Sequence, residues 1–246
     1  MLEHVRAHPR YGYRRIWVLL RREGFVVNRK RIYRLWRQEG LKVPKKQRKK
    51  RRLGTSENGC LRQRAIRKNQ VWAWDFVHDW TTDGRPLKWL TIVDEYTRKC
   101  LGLRVARSIK AQDAIDILAE LFAMHGVPEH LRSDNGPEFI ATAMREWLKQ
   151  VNVGTLYIEP GSPWENGYSE SFNSKCRDEF LNAEEFDTVP HARTLAGAWQ
   201  DDYNDSRPHS SLGYMTPNEF ARTCAASARA TPSLQQHTSA AETVLS

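Results

Sequence analysis

The sequence predicts a three-layer α/β core preceded by a small all-α helix-turn-helix segment. Three observations carry that expectation. Charge divides the chain: residues 1–70 hold 23 Lys+Arg against 4 Asp+Glu, a net +19, while the remainder is net −9. Hydrophobic periodicity switches from helical to strand-like at Val71. Beyond that point the order reads three strands, helix, strand, helix, strand, helix, which places helices on both faces of a mixed five-stranded sheet.

Each element follows from local residues. Residues from about Tyr11 to Gly24 form a helix with Ile16, Leu19 and Leu20 on one side, and Gly24 stops it. Asn28 caps a second helix in which Ile32, Leu35 and Trp36 recur before Gly40. The pair resembles a helix-turn-helix. Its second helix carries Arg29, Lys30, Arg31, Arg34 and Arg37, side chains suited to phosphates and guanine edges. PKKQRKKRR at 44–52 is a self-repelling run that serves as a linker able to lie along a DNA backbone.

The core strands are expected at Val71–Val77, Leu87–Val93, Cys100–Val105, around Leu131, and at Thr155–Ile158, with a turn at Thr82-Asp83-Gly84-Arg85. The helices are expected over Gln112–His125, Pro137–Val151 and Trp164–Phe180. Residues 184–222 read as helical again, interrupted by Arg207-Pro208-His209, and the Ala/Ser/Thr-rich tail 223–246 reads as disordered. The division is therefore 1–43 DNA-binding segment, 44–68 linker, 69–222 core and 223–246 tail.

Composition narrows the function. The 246 residues are 40% hydrophobic and contain no apolar run of 18, so no membrane span is expected, and the N-terminal MLEHVRAHPRYGYRR has no apolar core, so no secretory signal is expected. Cys60, Cys100, Cys176 and Cys224 form no close pair, which argues against a zinc knuckle and for a reduced cytosol. A net charge of +10 concentrated at the front end points to nucleic acid.

Three acidic residues stand out. Asp75 sits mid-strand among Trp and Phe, where a charge is costly without a partner such as a metal. Asp134 ends the fourth strand before Asn-Gly, where α/β sheets build sites. Glu170 lies on a helix, on one face with Asn166, Asn173 and Arg177. Three carboxylates can hold two hard cations, one activating water or a 3′-hydroxyl and the other stabilising the departing oxygen of a phosphoryl displacement. Taken singly, Asp134 also fits a turn residue and Glu170 an exposed helix residue. Asp79 and Asp94 compete as ligands, with solvent-facing or supporting roles as the alternative.

The segments YGYRRIWVLLRREG, NRKRIYRLWRQEGL, VWAWDFVHD, LTIVDEYTR, RSDNGPEF, YIEPGSPWENGYSESFNSKCRDE and RPHSSLGYMTPNEF, with 35 residues between Asp134 and Glu170, carry a family resemblance. The chain resembles the second-frame catalytic product of two-frame bacterial insertion sequences, DDE transposases of the retroviral-integrase superfamily. The resemblance implies a ribonuclease H-like core. It implies Asp75, Asp134 and Glu170 as catalytic ligands of Mg²⁺ or Mn²⁺, two ions in all, with Arg177 on terminal DNA and Asn166, Asn173 and Lys175 beside it. The loop before Glu170 resembles the family's mobile active-site edge. Ser174 and Cys176 depart from the family's usual Gly and Leu, off the acidic residues.

The resemblance also implies action in the bacterial cytoplasm at the nucleoid, a homo-multimer on DNA (element ends and target), and a first-frame product of the same element as partner. Family members usually extend further upstream of YGYRR, so transposition by this chain alone is not expected to be assured. Two other readings stay open: a truncated, non-catalytic DNA-binding regulator of the parent element, and a nuclease that cuts without joining.

Overall fold

The computed structural model describes residues 1–43, 64–134, 136–157 and 167–229. Three helices open the chain: α1 (Leu2–Ala7), α2 (Tyr13–Arg22) and α3 (Arg29–Gln38). Sequence periodicity did not reveal α1, a helix of six residues with none buried. The Asn28 side chain accepts from the Lys30 amide at 2.9 Å, the N-cap expected there. Gly24 turns the chain with φ +90°, and the Trp17 indole N–H donates to the Val27 carbonyl at 2.7 Å, closing the hairpin. Tyr11, Ile16, Leu20, Ile32 and Trp36 make this unit's own small core.

Five strands follow, β1 (Val71–Trp80), β2 (Pro86–Asp94), β3 (Cys100–Ala106), β4 (His130–Ser133) and β5 (Gly154–Tyr157), in the spatial order β3-β2-β1-β4-β5. The first three form an antiparallel meander, and β4 and β5 add in parallel to β1. The two sheet faces follow from the strand alternation. Trp72 and Trp74 of β1, with Leu90 and Ile92 of β2, pack under Leu118, Leu121 and Phe122 of α4 (Ala111–His125) and Met144 and Leu148 of α6 (Thr142–Gln150). Ala73 and Val77 face the other way, with Trp89, Leu103 and Val105, against Phe172 and Cys176 of α7 (Gly167–Cys176) and Ala192 and Ala196 of α8 (Val189–Asp201).

Three expectations need correction. The single helix over Pro137–Val151 is two, α5 (Pro137–Ile140) and α6, because Ala141 takes an extended ψ of 138°. The break lets Phe139 stack on Phe76 and lean on Trp74 while α6 stays against the sheet. The helix after β5 does not end as a plain α-helix: α7 continues into a π-turn over Arg177–Leu181. Finally, the tail is helical at its start, since α9 runs Pro217–Arg229. Thr216 and Glu219 exchange hydrogen bonds in a capping box (2.7 and 3.1 Å), and the alanines beyond propagate the helix without an apolar stripe. The linker 44–63, the Gly161-Ser162-Pro163 loop and residues 230–246 lie outside the described residues.

Candidate active site

Strand alternation puts Asp75 on the same face as Ala73 and Val77, the face that α7 covers. Its Oδ1 accepts from the Phe76 amide at 2.8 Å, and its Oδ2 accepts from the Asn173 amide group on α7 at 2.9 Å. Asn173 is held in turn by the Thr91 hydroxyl, which donates to its Oδ1 at 2.9 Å. Thr91 is the register partner of Asp75 across β1 and β2. No motif pointed to Thr91. Its position opposite Asp75 depends on strand register, which short-range patterning does not reveal.

Parallel pairing sets Ala73 against Arg132. Continued by two residues, that register carries Asp134 alongside Asp75 at the end of β4. Asp134 is exposed, and its carboxylate accepts from the Gly136 amide at 3.0 Å. Glu170 is also exposed, one helical turn before Asn173. The Asp75 carboxyl is pushed up to about 6. Burial contributes most, and the negative charges of Asp134 and Glu170 add to it against the hydrogen bonds from Phe76 and Asn173. The charges of Asp134, just past β4, and of Glu170 on α7 thus bear on Asp75 of β1. Among the described residues, no three His, Cys, Asp or Glu side chains stand close enough together to hold a metal ion.

The competitors have other roles. Asp94 is buried with both oxygens committed, to Thr97 (2.6 and 2.7 Å) and to the Asn69 amide (2.8 Å). Asp79 accepts from the Trp80 amide at 2.9 Å.

The basic and amide residues divide. Arg177, in the π-turn, reaches the His78 carbonyl at 2.8 Å and so lies at the end of β1 on the Asp75 side. Lys175 is half a helical turn from Asn173 and lies away from Asp75. It donates to the Ser171 hydroxyl at 2.9 Å, and its ammonium is pushed down to about 8 by burial and by Arg207, Arg15 and Arg98. Arg29, Lys30, Arg31, Arg34 and Arg37 are all exposed on α3. Asn166 lies outside the described residues, as does the loop preceding it.

One consequence concerns stability without metal. The folded-state carboxyl of Asp75 lies above its ordinary value of 3.8, so its protonated form is favoured by folding. The contribution of Asp75 to stability is therefore greatest below about pH 4 and is lost as pH rises through about 6. In chelator, Asp75→Asn is expected to remove that decline and to raise the neutral-pH unfolding midpoint by about 2–4 °C for each kcal/mol relieved. Thermal unfolding of both proteins from pH 4 to 7 is the check; parallel curves would contradict it.

A mixed sheet in the order β3-β2-β1-β4-β5, with acidic residues on its first and fourth strands and on the helix that covers them, defines a ribonuclease H-like core. Two models described as "Integrase core domain" match residues 65–163 and 151–217, and one described as "HTH-like domain" matches 1–51. A 31.7 kDa protein of insertion element IS407 from Burkholderia multivorans is 39% identical over 96% of this chain and 84% of its own length. The transposase InsD of insertion element IS2 from Escherichia coli is 28% identical over 87% of this chain and 74% of its own. Among solved structures, the HTLV-2 integrase catalytic core in complex with magnesium superposes with a TM-score of 0.53 at 15% identity, over 64% of this chain and 99% of that one. The chain belongs to the insertion-sequence transposases of the retroviral integrase superfamily.

Proposed function

We propose that this chain is a DDE-type polynucleotidyl transferase that cleaves the ends of an insertion sequence and joins the freed 3′-hydroxyl to target DNA. The observation that supports it best is that Asp134 and Glu170, acidic groups far from Asp75 in sequence, add their negative charge to its carboxyl where α7 covers the central strand β1 and its neighbour β4. Like charges converging on a half-buried carboxyl suit a cation, and an all-carboxylate oxygen set suits Mg²⁺ or Mn²⁺. Magnesium is present in the related HTLV-2 integrase core. Bound here, two such ions would supply Lewis-acid activation of the attacking oxygen and neutralise the departing one.

The protein's own residues do the rest. Asp75, Asp134 and Glu170 are the ligands. Asn173, braced by Thr91, fixes the rotamer of Asp75 and ties β1 to the helix that carries Glu170. Arg177 at the end of β1 meets a backbone phosphate of the terminal DNA. The cations of α3 bind DNA within segment 1–43, the basic linker 44–68 follows the backbone, and residues 69–222 make the catalytic unit. Two ends must be held together, so the working form is a homo-multimer on DNA at the nucleoid in the cytoplasm, with the first-frame product as a further partner. No helix among the described residues is long and apolar enough to cross a membrane.

Product analysis with an oligonucleotide bearing the element's end tests this. A covalent donor–target product that depends on metal supports it, and full activity in Asp134→Ala would overturn it. Hydrolysis alone would favour a nuclease, and binding alone a regulator. Binding is expected to weaken steeply with salt. Arg31→Ala combined with Arg34→Ala should shrink the slope of log K against log salt by about 2, roughly one phosphate contact per arginine. A slope identical to the parent's would place DNA elsewhere.

A further inference from the structure

The RPHSSLGYMTPNEF segment near the C-terminus has no part in the chemistry above, yet it is built with unusual care. Arg207 is almost fully buried, its side chain 2% exposed. It grips Glu179 with two hydrogen bonds of 2.6 Å, Nε to Oε2 and Nη2 to Oε1. Glu179 lies in the π-turn that directly continues the helix carrying Glu170. Burial alone would raise its carboxyl, but Arg207 and Arg15 hold it below the ordinary range.

The same Glu179 Oε1 accepts from Arg15 Nη1 of α2 at 3.1 Å. Arg22 lies seven residues further along α2, two turns on and so on the same face. It reaches Glu219 (2.7 Å), the Tyr214 carbonyl (3.2 Å) and the Ser206 carbonyl (3.4 Å). Tyr214 is held at φ +68°, a conformation that non-glycine residues rarely adopt, and its carbonyl is one of those that meet Arg22. Arg10, just before α2, pairs with Asp178 of the π-turn. One face of α2 is therefore matched, cation by cation, to the π-turn and to the C-terminal segment. Its other side packs on α3 through the small core of the hairpin.

We propose that the π-turn and residues 206–219 form a docking platform for α2, and that Arg15 and Arg22 are positioning residues that lock the DNA-binding hairpin in one orientation relative to Asp75 and Glu170. The π-turn makes this direct. It aims Arg177 at the end of β1 and Asp178 and Glu179 at the hairpin, so catalytic helix and hairpin share one rigid joint. Buried, doubly hydrogen-bonded Glu179–Arg207 supplies the rigidity, whereas Arg15 and Arg22, each about a quarter to a third exposed, supply the reversible half.

The activity arm of the test rests on the strand-transfer reading; the distance arm does not. Spin labels go on Tyr33→Cys in α3 and Met124→Cys in α4, both exposed in the parent, in a background with Cys60→Ser and Cys224→Ser. The parent should give one narrow label-to-label distance. Arg15→Gln with Arg22→Gln, which leaves Glu179–Arg207 intact, should broaden it at least about twofold without lowering the unfolding midpoint of the core. End-DNA affinity should stay within about twofold, while strand transfer falls on the order of 10-fold or more, the cost of misplacing a reacting strand. Arg15→Lys with Arg22→Lys should restore the narrow distance and most of the transfer. An unchanged distance distribution, or transfer at the parent's level with a broadened one, overturns the proposal. If the parent itself joins no strands, the strand-transfer reading has failed and the distance distribution still decides whether α2 docks.

Discussion

Asp75→Asn is expected to reduce metal-dependent strand transfer by about 10³-fold while leaving DNA binding intact. The substitution preserves shape. An amide oxygen can still accept from the Phe76 amide, and Asn173 can turn its own amide to meet the new N–H₂, with Thr91 rotating to follow. What disappears is one of the three negative charges that would hold cations. Lewis-acid stabilisation of a phosphoryl displacement contributes several kcal/mol, and about 1.4 kcal/mol corresponds to each factor of ten. The basic residues of α3 are untouched, so gel-shift affinity for end DNA serves as the control. Joining at the parent's rate would remove Asp75 from the chemistry. The same variant is expected to be more stable than the parent in chelator, so activity and stability should move in opposite directions.

The second large effect is on stability. Arg207→Ala should cost about 3–5 kcal/mol, because it removes both short hydrogen bonds to the Glu179 carboxylate in a site mostly shielded from water and leaves it only the partly exposed Arg15. In a domain of this size that corresponds to roughly 6–20 °C in unfolding midpoint. The cause can be separated from mere loss of packing. If desolvation of an under-compensated charge dominates, Glu179→Leu combined with Arg207→Met should recover much of the loss, since both buried charges are then gone and Arg15 is partly exposed to water. Urea unfolding of the single and double variants measures this. A single-variant loss below about 1 kcal/mol would show that the pair is not the keystone it resembles. The sign with pH follows from Glu179, whose carboxyl lies below its ordinary 4.5: its contribution is present above that value and is lost as pH falls below it.

Much of the fold was legible because its signals are short-range. Asn28 was recognisable as an N-cap from the two residues that follow it, and the structure shows that hydrogen bond. Val71–Val77 read as a buried strand from its aromatic and β-branched content, and it extends to Trp80. The tail shows the limit of that method. It has no apolar stripe, yet a Thr216–Glu219 capping box followed by alanines makes its start helical, and that needs no stripe. The break at Ala141 was invisible for a different reason. Nothing about alanine resists a helix, and the extended ψ goes with Phe139 packing against Trp74 and Phe76.

The acidic residues were legible as unusual types in unusual places: an aspartate within an aromatic strand, another before Asn-Gly, and a glutamate separated from it by 35 residues. The partners that orient them were not. The Asn173 amide holds Asp75, while Lys175, half a turn of helix away, donates to the Ser171 hydroxyl. By itself, then, the sequence determined the order of elements, the split between a basic hairpin and an α/β core, and which carboxylates to suspect. Those properties depend on neighbours within a turn or a strand. Only the tertiary structure decided that Thr91 and Asn173 brace Asp75, and that Glu179, 28 residues before Arg207 and 164 after Arg15, joins the hairpin to the catalytic helix. A buried polar group takes whichever partner the packing of distant segments brings within hydrogen-bond reach, and no local pattern records that choice.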